Sequence, residues 1–404
     1  MPLDELRLRL VLVREHRATD AQADEVLAYI RATAWDHLPD VPPDVPLPDE
    51  PFVAAWERYA AEAATEGVFA ALRSRLVQLN FPIAAGIRES QDYRAATRRG
   101  ILPPPDRSIA PGIPLVDPDG LRLFLHPTAA GRIPVIVAPA RDDFVTLVRA
   151  LTRRNEPDPI PASMGACVVA GYSNWDRVRA LRRQWEETQT ETDRSDAAWW
   201  RAFASLVPRK ELYQDRFILL SSGPYSSVAA EEVGMARADW LATSLTLRLE
   251  HECAHYFTRR VFGSMHNSLL DELIADYIGI VAAAGRFQAE WLLRFMGVED
   301  PLRYRAGSRL ENYRGQPPLS HESFLILQSV VRRAAENLAA VDLRFPTGSR
   351  KFADRARAIV VIASFGLERL AAADGVEMAW KELEQENERE RVGRVLVHAS
   401  RESA

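Results

Sequence analysis

The sequence predicts an α+β fold, predominantly helical, with a small mixed sheet and additional helices at both the N- and C-terminal ends. Apolar residues recur at helical spacing through most of its 404 residues, strand-like apolar runs are confined to about 121–222, and proline- and glycine-rich stretches separate the blocks. Residues 3–35 carry the helical pattern, and LPDVPPDVPLPDEP (38–51) is too rich in proline to continue it. A second helical block over 52–79 gives way to the punctuated run 101–120, so 1–118 is expected to be a helical N-terminal region with proline-rich linkers.

From Leu121 the pattern changes. LRLFLH and IPVIVA read as short strands and DDFVTLVRAL as the helix after them. GACVVAGY (165–172) is a third strand candidate, and Asn174 is placed to cap a helix over NWDRVRALRRQWEE. RFILLSS (216–222) reads as a strand ended by Gly223 and Pro224. Helical segments follow at about 228–262, 268–284, 286–296, 321–341, 352–373 and 376–394, with Gly263, Gly285 and Gly297 as stops. The expected division is therefore 1–118, an α/β core over 119–300 and a helical region over 301–404.

With 47% hydrophobic and 26% charged residues the chain can bury a large core. A formal charge of −5 supplies no broad basic surface for nucleic acid or an anionic membrane, so neither partner is expected. Lysine occurs only at 210, 351 and 381, leaving arginine to carry nearly all positive charge. Cys167 and Cys253 alone cannot build a disulfide framework. The N-terminal MPLDELRLRLVLVREH lacks the apolar core of a signal peptide, and no window approaches the roughly 18–20 apolar residues of a bilayer span. The expected location is cytoplasmic.

The chemistry is concentrated in LRLEHECAHYFTRRVFG. His251-Glu252-Cys253-Ala254-His255 matches HExxH on a helical pattern free of proline. Residues four apart share a helix face, so both imidazoles can meet one metal ion while Glu252 reaches toward a bound water. Cys253 then points away and reads as a small buried group. After Gly263 and a loop holding His266 and Asn267, SLLDELIADYIGI opens with Ser268 and Asp271 in a capping-box pattern. Glu272, seventeen residues beyond His255, is the expected third ligand, with Asp271 as the alternative one register away. Asp276 shares the face of Glu272 and suits the outer N–H of a ligand histidine. His321, Tyr304, Tyr313 and Tyr225 are candidates to stabilise an oxyanion, since each could donate a hydrogen bond to developing charge. Val261 stands where HExxHxxGxxH would need its third histidine.

HExxH followed by ExxxD on the next helix resembles the gluzincin metallopeptidases, the thermolysin-like group with two histidines and a glutamate on zinc. The likeness covers about 217–285. It implies a zincin-like core, one Zn2+ on His251, His255 and Glu272, Glu252 as general base, Asp276 supporting a histidine, and a peptide or amide substrate. In that family an edge strand before the HExxH helix pairs with substrate, and RFILLSSGPYSS occupies the corresponding place. The chain has neither a GxMEN-type segment nor a clear counterpart of the downstream oxyanion histidine. A catalytically silent, zincin-like metal-binding or regulatory protein is thus the alternative to a zinc hydrolase.

Overall fold

The computed structural model describes residues 3–35, 37–39, 42–102, 112–264, 268–300, 304–344, 351–379, 381 and 384–385. They are mostly helical, with one mixed four-stranded sheet. Two compact units form: 48–223, and 1–47 together with 224–404. The expected boundaries at 118 and 300 are therefore corrected. The proline-rich connector, expected inside the first region, contains the crossing at Leu47.

The chain opens with α1 (Leu3–Glu15) and α2 (Asp20–Ala32), the latter started by a capping box between Thr19 and Gln22. Both belong with the C-terminal helices, because their apolar faces need partners that two short helices cannot give each other.

The 48–223 unit starts with α3 (Val53–Glu66), α4 (Val68–Arg75) and α5 (Gln91–Arg99). Next come β1 (Arg122–Thr128), β2 (Gly131–Ala138), α6 (Arg141–Thr152), β3 (Ala166–Ser173), α7 (Trp175–Glu187), α8 (Asp196–Leu206) and β4 (Gln214–Ser221). The strand order is β1-β2-β4-β3, antiparallel except for the parallel pair β2 and β4. Trp56, Tyr59, Phe144, Leu147, Ile136 and Phe217 fill the core between the sheet and α3 and α6. Asn174 caps α7 as its sequence position suggests, accepting from the amides of Asp176 and Arg177. One expectation is overturned. β4, the strand of RFILLSS, is interior and paired on both sides, so its backbone has no edge to offer a substrate. Its uninterrupted apolar run already suited a strand with neighbours on either side.

The other unit continues with α9 (Arg237–Val261), α10 (Leu269–Ala284), α11 (Ala289–Met296), α12 (His321–Arg344) and α13 (Phe352–Leu370). The segment expected from 228 is helical only from Arg237, since Gly234 ends the preceding short turn in left-handed geometry (φ 68°). Gly285 and Gly297 stop α10 and α11 as expected, with φ of 77° and 73°. His266, Asn267 and most of 376–394 lie outside the described residues. Among those described, no helix is long and apolar enough to cross a membrane.

α9 and α10 run antiparallel in close contact. The reason is Gly279: a Cβ there would stand 2.8 Å from the Leu247 carbonyl oxygen and 3.6 Å from His251 Cβ. Lacking one, α10 lies against the face of α9 that carries the histidines.

Candidate metal centre

His251 and His255, one turn apart on α9, are buried, as are Glu252 on the same helix and Asp271, Glu272 and Asp276 on α10. His251 Nδ1 lies 2.9 Å from Asp276 Oδ1, and His255 Nδ1 lies 3.1 Å from Asp271 Oδ2. A carboxylate only accepts, so both Nδ1 atoms must carry the proton. Each Nε2 then presents a lone pair, and the two face each other at 3.1 Å. Glu272 closes the triangle, with Oε2 3.7 Å from His251 Nε2 and Oε1 3.6 Å from His255 Nε2. With both Nε2 atoms deprotonated these three buried acceptors repel one another, and either a metal ion or the second proton that the raised His255 takes up in its absence relieves them. The group His251, His255, Glu272 could hold a metal ion, with one ligand atom from each within 4.8 Å of the others. Its two neutral imidazoles and one carboxylate, leaving a coordination position open, fit a catalytic zinc.

The charges around the triangle come from named neighbours. Burial alone would raise the Glu272 carboxyl, but Arg309 and the two imidazoles hold it well below the usual range. Asp276 is likewise lowered against its burial, chiefly by Arg309 and His251. Burial would lower His255, yet Asp271 and Glu272 reverse this and raise it well above an ordinary histidine. Glu252 moves the other way: burial raises its carboxyl, and the neighbouring histidines only partly offset this.

Arg309 is the residue that sequence reasoning missed. It sits on the short turn Arg309–Tyr313, donates to Glu272 Oε2 and reaches Asp276 Oδ1 at 3.2 Å. It carries no motif spacing, and the only signal was an arginine within reach of a tyrosine already singled out. Asp271 was read as a cap or alternative ligand. Ser268 does cap the Asp271 amide, at 3.3 Å, but the Asp271 carboxylate turns inward to His255 and to Thr258 Oγ1, 3.2 Å away.

A family model matches residues 11–374, a span that includes every residue of this site. The chain belongs to a family of unknown function (DUF7005). No curated protein and no solved structure matches it.

Within that family span the four oxyanion candidates are dispersed. The Tyr225 hydroxyl donates to Asp276 Oδ1 at 2.6 Å and lies 2.9 Å from His251 Nδ1, on the side of the ring opposite Glu272. It is held there by a turn in which Ser226 and Ser227 take positive φ (48° and 59°), a costly backbone for these residues and one concentrated at functional sites. Tyr313 is buried beside Glu272 and Arg309, and burial together with Glu272 raises its hydroxyl far above an ordinary tyrosine. Tyr304 accepts from Arg314 at 2.6 Å and packs on Phe324. His321 is exposed at the first residue of α12. Of the residues named from sequence, the structure gathers His251, Glu252, His255, Glu272, Asp276, Tyr225 and Tyr313 around one point.

Proposed function

We propose that this protein is a zinc-dependent hydrolase of the gluzincin type, acting on a peptide or amide bond, with a zincin-like metal core. The observation that carries the reading is the pair of Nε2 lone pairs facing Glu272 while carboxylates hold both Nδ1 protons. His251, His255 and Glu272 would hold one Zn2+. When bound, zinc supplies a Lewis acid and a water of lowered pKa.

The protein's own groups do the rest. Asp276 and Asp271 fix the tautomers of His251 and His255, and Arg309 fixes the carboxylate plane of Glu272. Glu252 accepts the proton of the attacking water on its carboxylate and returns it to the leaving nitrogen. The C–O bond forms first and the carbonyl becomes a tetrahedral oxyanion, whose collapse breaks the scissile C–N bond as nitrogen takes the proton. Tyr313, next to Glu272, is the candidate placed best to donate to the oxyanion.

A second reading has one observation in its favour. Arg309 already neutralises the Glu272 oxygen that a metal would use, as a silent metal-binding or regulatory protein could tolerate. Elemental analysis of purified protein separates the outcomes. One zinc per chain, lost in Glu272→Ala, is expected. Glu252→Gln is expected to keep the zinc and abolish cleavage of a peptide and amide library. Cleavage unchanged by Glu252→Gln removes that residue from the mechanism, and protein without stoichiometric metal removes both readings.

A further inference from the structure

The 48–223 unit contains a cavity of about 720 Å³ whose lining includes five arginines: Arg88, Arg94, Arg98, Arg153 and Arg154. Among the described residues Glu89 is the one acidic residue of that lining and Glu156 reaches Arg88 from outside it, so three positive charges are left unbalanced there. The volume is within the range of small-molecule sites.

Arginine is abundant in this chain, and several elsewhere in the unit are ion-paired. Arg75 meets Glu62, Arg132 meets Asp49 and Glu57, and Arg182 meets Glu186 and Asp196. In the cavity Glu89 serves Arg88 and Arg94 and Glu156 also meets Arg88, whereas Arg98, Arg153 and Arg154 have no carboxylate partner among the described residues. Arg94 and Arg98 also stand four apart on α5, where like charges oppose the helix. The clustered like charges favour an added anion.

The backbone that carries Arg153 and Arg154 is held in place. Asn155, next to Arg154, is fully buried and donates to the carbonyls of Gln78 and Phe81 at 3.0 and 2.9 Å. Glu156 accepts from the amides of Gly86 and Arg88 at 2.9 and 3.2 Å. These bonds tie the turn bearing Arg153 and Arg154 to the segment bearing Arg88. The buried Val148, Leu151, Val169 and Tyr172 lie at the floor of the same cavity. A nucleic-acid surface would spread its charge over a broad face, whereas here it is gathered around one concavity.

We propose that this cavity binds a small organic oxyanion, a phosphate or polycarboxylate carried on an apolar or aromatic body, with Arg98, Arg153 and Arg154 as its anchors. Guanidinium forks match either oxyanion in two-pronged fashion. The site is independent of the histidine pair and of any metal there.

Calorimetric titration of the full chain at low salt with AMP, phenyl phosphate, citrate and inorganic phosphate tests this. Saturable one-to-one binding of an organic anion is expected. AMP or phenyl phosphate alone would identify the phosphate source, and citrate alone the carboxylate source. Arg98→Ala and Arg154→Ala, both at exposed side chains, should each weaken binding by about tenfold or more without moving the ligand-free unfolding midpoint. Glu89→Gln should tighten it by freeing Arg88 and Arg94. No saturable binding at millimolar probe, or unaltered binding by all three variants, overturns the proposal. Inorganic phosphate binding as tightly as phenyl phosphate overturns the organic body, and a hexaglutamate peptide binding where every small anion fails overturns the small-molecule class.

Discussion

Asp215 and Glu272 are both buried carboxylates gripped by a buried arginine, one in each unit, yet their surroundings are built differently. Around Asp215 every polar atom finds a protein partner. Arg177 donates to Oδ1 at 2.6 Å, while Asn174 and Trp56 donate to Oδ2 at 2.6 and 2.8 Å. Arg177 spends its other donors on the carbonyls of Gln214 and Glu211, and Tyr59 links Asn174 to Asp176. Donors and acceptors match, so the cluster is closed and acts as a rivet between α3, α7 and β4. Around Glu272 the count fails, because two imidazole nitrogens and a carboxylate turn acceptors toward one another. Buried polarity that is complete supports a fold, and buried polarity lacking only a cation points to a ligand.

The largest effect should come from breaking the closed cluster. Asp215→Ala leaves the Arg177 charge buried without a counterion, an imbalance worth about 3–5 kcal/mol in denaturant unfolding. Zinc content should be unchanged. A loss below about 1 kcal/mol, the range of an exposed ion pair, would erase the contrast.

The open cluster is sharpened by its outer carboxylates. Asp271→Asn and Asp276→Asn keep the shape but can no longer fix the Nδ1 proton of their histidines. Each should reduce metal affinity by about 10- to 100-fold, read by competition with a chromophoric chelator. Equal affinity in both variants would make the two aspartates ordinary packing partners.

What could be read from sequence follows the range of the interactions. Strands β1 to β4, the caps at Asn174 and Ser268, and the stops at Gly285 and Gly297 depend on neighbours within a turn or two, and periodicity exposes them. The convergence of His251, His255 and Glu272 was legible because two helices joined by a short loop have few ways to pack. Arg309 lies 37 residues beyond Glu272 on an irregular turn, and nothing local tells where its side chain goes. The same limit hid the interior place of β4 and the union of α1 and α2 with the C-terminal helices, both set by pairings between distant segments.

Gly279 tests how tightly the open cluster depends on helix spacing. A methyl 2.8 Å from the Leu247 carbonyl must push α10 from α9, since the obstacle is backbone. Gly279→Ala should therefore destabilise the protein by about 1–3 kcal/mol despite the better helix propensity of alanine. Metal affinity should fall with it. A stabilised variant with intact affinity would mean that helix separation does not set the geometry of the ligands.

The smallest effect separates two buried histidines. His255, with carboxylates on both sides, is raised well above the ordinary value, whereas His16 faces Ser329 Oγ at 2.9 Å and has its pKa lowered, first by burial and then by the charge of Arg333. Its unfolded value is near 6.5, so as pH falls through that point the unfolded chain gains a proton that the folded chain refuses. The stability contributed by neutral His16 is thus complete above pH 6.5 and declines as pH drops toward the folded value. One proton limits the slope to about 1.4 kcal/mol per pH unit. His16→Gln, which cannot titrate, should flatten the urea midpoint between pH 6.5 and 5 relative to the parent chain. The same slope in both proteins would place the acid sensitivity in other groups and show that His16 is solvated enough to charge in place.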